Sequence, residues 1–189
     1  MIKWIWILGI ALALAGCQNP PATPTAPAAL NVSRPCKMRG ALPDPKCTPG
    51  VTNPDVTSGT LATTICLSGW TATIRPEVTY TNHLKAQQID EYGFKDKTPA
   101  DYEEDHLISL QLGGSPTDPR NLWPQPRYGS PNAVSKDKVE NYLKAQVCAG
   151  KMSLEEAQKG IAADWTQYAS AVAMSIEAIS SEDPDDNIE

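Results

Sequence analysis

Several features that would decide a function quickly are scarce in this 189-residue chain. It has only two histidines, His83 and His106, so a histidine-rich metal centre is excluded. No Cys-x-x-Cys pair occurs among its five cysteines, which removes the usual spacing of a zinc clip. There is no internal repeat and no long basic stripe. Lys and Arg number 16 against 22 Asp and Glu, a formal net charge of −6, whereas proteins that bind polyanions usually carry a positive footprint. The apolar run over residues 4–13 falls well short of the roughly 20 residues needed to cross a ~30 Å hydrocarbon core, so a retained transmembrane helix is not expected.

The amino terminus does carry an address. Lys3 supplies a positive start, the apolar run follows, and Leu14-Ala15-Gly16-Cys17 places small residues before a cysteine. That order reads as a secretory signal peptide over 1–16. Its end resembles the lipobox of bacterial lipoproteins, which implies cleavage before Cys17 and acyl chains, palmitate among them, on that cysteine. Several chains at ~0.8 kcal/mol per buried methylene make a durable anchor. The expected location is therefore the cell envelope, and the outer membrane in a Gram-negative cell, since Gln18 rather than Asp follows the cysteine.

Residues 17–31 contain the lipidated Cys17 and a tether rich in Pro, Ala and Thr, without charge or apolar period. An extended chain at ~3.1 Å per residue lifts a domain roughly 40 Å off a bilayer. Residues 181–189 read as an acidic tail, and 32–180 remain as one ordinary domain. Its cysteines, Cys36, Cys47, Cys66 and Cys148, form an even set suited to an oxidising compartment. Of the three possible pairings, Cys36 with Cys47 and Cys66 with Cys148 is favoured. The first closes a short Pro-rich loop and the second ties an early segment to a late helix.

Pattern along the domain predicts a mixture of elements. Thr and Ile alternation suggests short strands at 61–65 and 70–74 around a Ser68-Gly69 turn. Residues 80–92 suit a helix, and Thr98-Pro99 a helix start. A strand is expected over 104–112, broken by Gly113-Gly114, with 121–124 returning as its hairpin partner. Ser135 caps a predicted helix over 136–148 whose buried face carries Val139, Leu143 and Val147. Ser153-Leu154-Glu155-Glu156 is a capping box opening a helix to about 173, weakened by Gly160. The fold class expected is α+β, a small disulfide-stapled domain.

Chemistry-bearing residues concentrate in Glu103-Glu104-Asp105-His106, Leu112-Gly113-Gly114 and Asp118-Pro119-Arg120-Asn121-Leu122. This stretch resembles the HNH, or ββα-metal finger, nucleases, over about 103–148 and with flanking helices. The resemblance implies Asp105 as a ligand for a divalent ion, Mg²⁺ or Mn²⁺, and His106 as general base on water. Asn121 then braces the hairpin loop. The family's last ligand, often His, has no His here, so Asn132 or Asp137 would serve. Arg120, Lys136 and Lys138 are candidate phosphate contacts. These roles suit the chemistry, because a phosphodiester needs its charge compensated and its attacking water deprotonated. Adjacent strand residues face opposite ways, so Asp105 and His106 share a site only at a strand end or a distortion. Glu103 and Glu104 read as a solvated face, His83 as structural or surface, and Arg75 as strand-end packing.

Two functions follow as expectations. One is a membrane-tethered, metal-dependent endonuclease hydrolysing DNA or RNA. The other is a non-catalytic envelope lipoprotein that keeps a degenerate HNH-like fold as a scaffold or binding module.

Overall fold

The computed structural model describes residues 35–181. The signal peptide, Cys17, the tether and all but the first residue of the acidic tail lie outside the described residues. The domain is a small α+β unit with a two-stranded sheet, helices around it and two disulfides, Cys36–Cys47 and Cys66–Cys148. No helix among the described residues is long and apolar enough to cross a membrane.

The two early strands are not formed. A 3-10 turn occupies Leu61–Thr63, and a short helix, α1, spans Trp70–Ile74. Threonine decides this locally. The Thr63 and Thr64 hydroxyls both donate to the Thr60 carbonyl, and the Thr73 hydroxyl donates to the Trp70 carbonyl. Such bonds hold a turn as readily as β-branching favours a strand. Among the described residues no neighbouring strand rewards the alternative, because their one sheet is built from later residues.

Helix α2, Val78–Glu91, buries Leu84, Gln88 and Ile89 along one face. The Gln88 side-chain amide donates to the carbonyls of Leu122 and Pro119, at 3.0 and 3.2 Å, and so ties this helix to the sheet. Strand β1, Tyr102–His106, pairs antiparallel with β2, Leu122–Pro126, with His106 opposite Leu122 and Asp105 opposite Trp123. Pro124 and Pro126 are tolerated because a two-stranded sheet leaves one side of β2 free of any ladder. The expected strand over 104–112 therefore ends early. Beyond Leu107 the chain bends into a 3-10 turn at Leu110–Leu112, since both backbone groups of Ile108 bond to a side chain instead of a strand.

Helix α3, Ala133–Cys148, follows β2 and buries Val139, Leu143 and Val147 as its periodicity requires. Its cap is Asn132 rather than Ser135. The Asn132 carbonyl oxygen accepts from the Ser135 backbone, and Ser135 returns the favour to the Asn132 backbone. The last predicted helix is broken into α4, Leu154–Asp164, a 3-10 turn at Trp165–Tyr168, and α5, Ala169–Ser181. Asp164 leaves the helical conformation and its carboxylate caps Thr166. The reversal brings the Tyr168 hydroxyl onto Gly160, where any β-carbon would collide with it.

Two apolar clusters result. Ile65, Leu112, Leu143, Ile161 and Trp165 lie in the larger, and Cys36, Cys47, Tyr92, Leu107 and Trp123 form the smaller. The end of β1 runs between them, with Leu107 in one and Ile108 in the other. His106 is therefore held at the last residue of a strand whose continuation is packed on both sides.

Candidate active site around His106

The loop after β1 is organised by Asn121, which has no exposed surface. Its Oδ1 accepts from the backbone N–H of Ile108 at 3.0 Å and of Val51 at 3.3 Å. Its Nδ2 donates to the carbonyls of Ile108 and Ser115, both at 3.0 Å. An amide can do this because it offers donor and acceptor side by side. The paired glycines make room. Gly113 has φ +73°, and a β-carbon on Gly114 would overlap the Ile108 carbonyl and crowd Asn121 Nδ2.

His106 sits at the mouth of this loop and is buried. Its Nε2 lies 3.0 Å from the Pro116 carbonyl, which can only accept, so Nε2 carries the proton and Nδ1 keeps the lone pair. Burial, with the positive charges of Lys136 and Arg75, lowers its pKa to about 4. The ring is therefore neutral at physiological pH.

Asp105 and His106 line one polar cavity of about 260 Å³ at the end of β1, together with Arg75 of the α1 end and Asp137 of α3. Glu103, Glu104 and Glu140 complete its acidic wall. The strand-end arrangement thus lets adjacent residues share a site. Glu103 is half-buried and pairs with Arg127 at 3.0 Å. Glu104 departs from the solvated face expected of it, because both its carboxylate oxygens are buried without a hydrogen-bond partner. Desolvation, reinforced by Asp105, holds its carboxyl well above the usual range.

Lys136 is the largest departure. It was expected to meet phosphate, yet its side chain is wholly buried. Its Nζ contacts Asp105 Oδ2 at 2.8 Å, Glu140 Oε1 at 2.5 Å and the His106 carbonyl at 2.8 Å. One ammonium thus serves two buried carboxylates. Burial raises both, with Asp105 pushed up to about 6 and Glu140 to about 7, while Lys136 lowers each in part.

The other expected contacts lie elsewhere. Arg120 forms a two-point pair with Asp118, Nη2–Oδ2 2.6 Å and Nε–Oδ1 3.0 Å, and does not line the His106 cavity. Lys138 lines a different groove beside Trp165 and Arg39. Asn132 is taken up by the α3 cap, its Nδ2 donating to the carbonyls of Arg127 and Gly129. His83 is exposed on α2. Arg75, read from sequence as packing, lines the cavity as its one guanidinium. Glu140 was not singled out, although its spacing of four from Lys136 is the signature of a helical ion pair.

A divalent ion of the kind the resemblance implies needs several hard oxygen ligands converging on one point. Among the described residues no three His, Cys, Asp or Glu side chains converge in that way. Asp105 and Glu140, two of the carboxylates lining the cavity, are already joined to Lys136. The residues do not fit the expected ion at Asp105. No protein-family model, curated protein or solved structure matches the chain.

Proposed function

We propose that this chain is a phosphodiester hydrolase acting on DNA or RNA, anchored by lipid on Cys17 in the bacterial cell envelope. In this reading 103–148 form an HNH-like finger in which β1, β2 and α3 follow in order. The observation that carries it is the setting of His106. A carbonyl fixes its tautomer, the ring is neutral, and the loop beside it is braced by the one asparagine that the resemblance assigns to that task. His106 takes a proton from water through Nδ1 as the oxygen attacks phosphorus, while the phosphorus–oxygen bond to the departing sugar oxygen breaks and that oxygen takes a proton from solvent. Arg75 is the cation of the cavity wall positioned to meet the phosphate, and a guanidinium matches phosphate oxygens in two-point geometry.

The full chain, purified in detergent with its disulfides intact, should cut plasmid DNA or RNA. Assays with Mg²⁺, with Mn²⁺ and with chelator define its ion requirement. His106→Ala should lower the rate by ~10²–10⁴-fold, the usual contribution of a general base. Cleavage that persists equally in the variant points to a contaminant and removes the support for this assignment.

A second reading has its own observation. The acidic wall of the cavity opposes the approach of a polyanion, and Asp105 is committed to an internal ion pair. A non-catalytic envelope scaffold or binding module keeps such a cluster for stability alone. Absence of cleavage across all ions and substrates favours it.

A further inference from the structure

We infer that the Lys136 ammonium is the resident cation of this fold, filling the position at the end of β1 where a metal ion would otherwise bind Asp105. An ammonium has three N–H donors and no acceptor. Three oxygens surround Nζ, from the Asp105 carboxylate, the Glu140 carboxylate and the His106 backbone, at 2.8, 2.5 and 2.8 Å. The Glu140 and His106 oxygens accept hydrogen bonds from Nζ and the Asp105 oxygen meets it as an ion-pair contact, so the ammonium is committed inside the fold. The Lys136 side chain has no exposed surface, while those of Asp105 and Glu140, 9% and 10% exposed, help line the His106 cavity.

The oxygens are also those a hard cation would seek. Two carboxylates and a backbone carbonyl form a ligand set for Mg²⁺, Mn²⁺ or Ca²⁺, but Mg²⁺ needs contacts near 2.0–2.1 Å, about 0.4–0.8 Å shorter than those made by Nζ. An ion and the ammonium cannot occupy the same point. The chain has resolved that choice covalently, with a cation that comes on α3 and needs no supply from outside. Lys136 is thereby a positioning residue: it holds His106 through that residue's own carbonyl and joins α3 to the last turn of β1. This inference rests on the cluster geometry and stands whether or not the chain cleaves nucleic acid.

Two measurements on the full chain in detergent test it. In the wild type, thermal midpoints with EDTA, Mg²⁺, Mn²⁺ and Ca²⁺ at matched ionic strength should coincide, and Mn²⁺ titrated by electron spin resonance should show no tight site removed by Asp105→Asn. In Lys136→Ala the midpoint should fall and should recover in methylammonium, which refills the ammonium position, or in millimolar Mn²⁺ or Ca²⁺. Matched NaCl should give no recovery. A wild-type midpoint lowered by chelator, or a Mn²⁺ site abolished by Asp105→Asn, overturns the inference. So does a Lys136→Ala protein that loses no stability, or one restored by none of these cations. If Lys136→Ala does not fold, the wild-type measurements decide the matter alone.

Discussion

Asn121→Ala removes four hydrogen bonds from the loop that follows β1. The two to Ile108 are wholly buried, whereas those to Val51 and Ser115 are only partly so. After the substitution water can replace the second pair, but the Ile108 N–H and carbonyl are stranded. A buried polar group left without a partner costs ~1–3 kcal/mol, so two of them cost about 4 kcal/mol. That is a large part of the ~5–15 kcal/mol by which a domain of this kind is stable. Urea unfolding of the oxidised protein followed by circular dichroism should show the transition midpoint falling with little change in slope. Asn121→Asp is an informative companion. It keeps an acceptor for Ile108 N–H but turns a carboxylate toward the carbonyls of Ile108 and Ser115, so it should be destabilised nearly as much. A loss below about 1 kcal/mol in Asn121→Ala would refute the view that this one side chain holds the loop.

The two disulfides should differ in worth. By chain entropy, closing 82 residues through Cys66–Cys148 contributes about 4.5 kcal/mol and closing 11 through Cys36–Cys47 about 2.8 kcal/mol. Paired Cys→Ala variants compared in urea should keep that order, and the reverse order contradicts it. Stability should also fall as pH rises from about 5 to 7. Asp105, Glu140 and Glu104 have raised folded pKa values, so their contribution is full at low pH and is lost as pH rises through about 6 and 7 for the first two. His106 has a lowered value, so its contribution is present above 6.5 and lost as pH falls through about 4. Three raised carboxyls outweigh one lowered histidine, so urea midpoints should drop from pH 5 toward 7, and less so in Glu140→Gln; a midpoint that rises over that interval contradicts the assignment. Finally, Cys17→Ser should abolish membrane partition and incorporation of labelled lipid precursor, while equal labelling of both proteins counts against the anchor.

What could be read from sequence was set by whether neighbours in the chain supply the interaction. Gly113-Gly114, the Ser153 cap and the buried stripe of Val139, Leu143 and Val147 are local, and each appears where pattern puts it. The segments 61–65 and 70–74 show the limit. Their β-branched residues suit a strand, but pairing depends on a partner that the fold does not provide, and threonine side chains settle the turn instead. Within the site, Asp105 and His106 reach one cavity, as their adjacency in the chain suggests, and Asp137 joins them from α3. Lys136 reads as a solvated residue open to phosphate, as a lysine on an amphipathic helix normally is, yet it is wholly buried. Its burial depends on two carboxylates, one of them 31 residues away in sequence, meeting at the end of β1. Asn132 reads as a ligand candidate and becomes a cap, since the same amide chemistry serves both purposes.

In the proposed hydrolysis the His106 ring, rather than the fold around it, carries proton transfer. Single-turnover cleavage of an end-labelled oligonucleotide by the wild type and by His106→Gly, each with and without added imidazole, tests it most directly. The variant should be ~10²–10⁴-fold slower and should speed up with imidazole concentration, while the wild type is unaffected. A variant that folds, cleaves at the wild-type rate and ignores imidazole would contradict it.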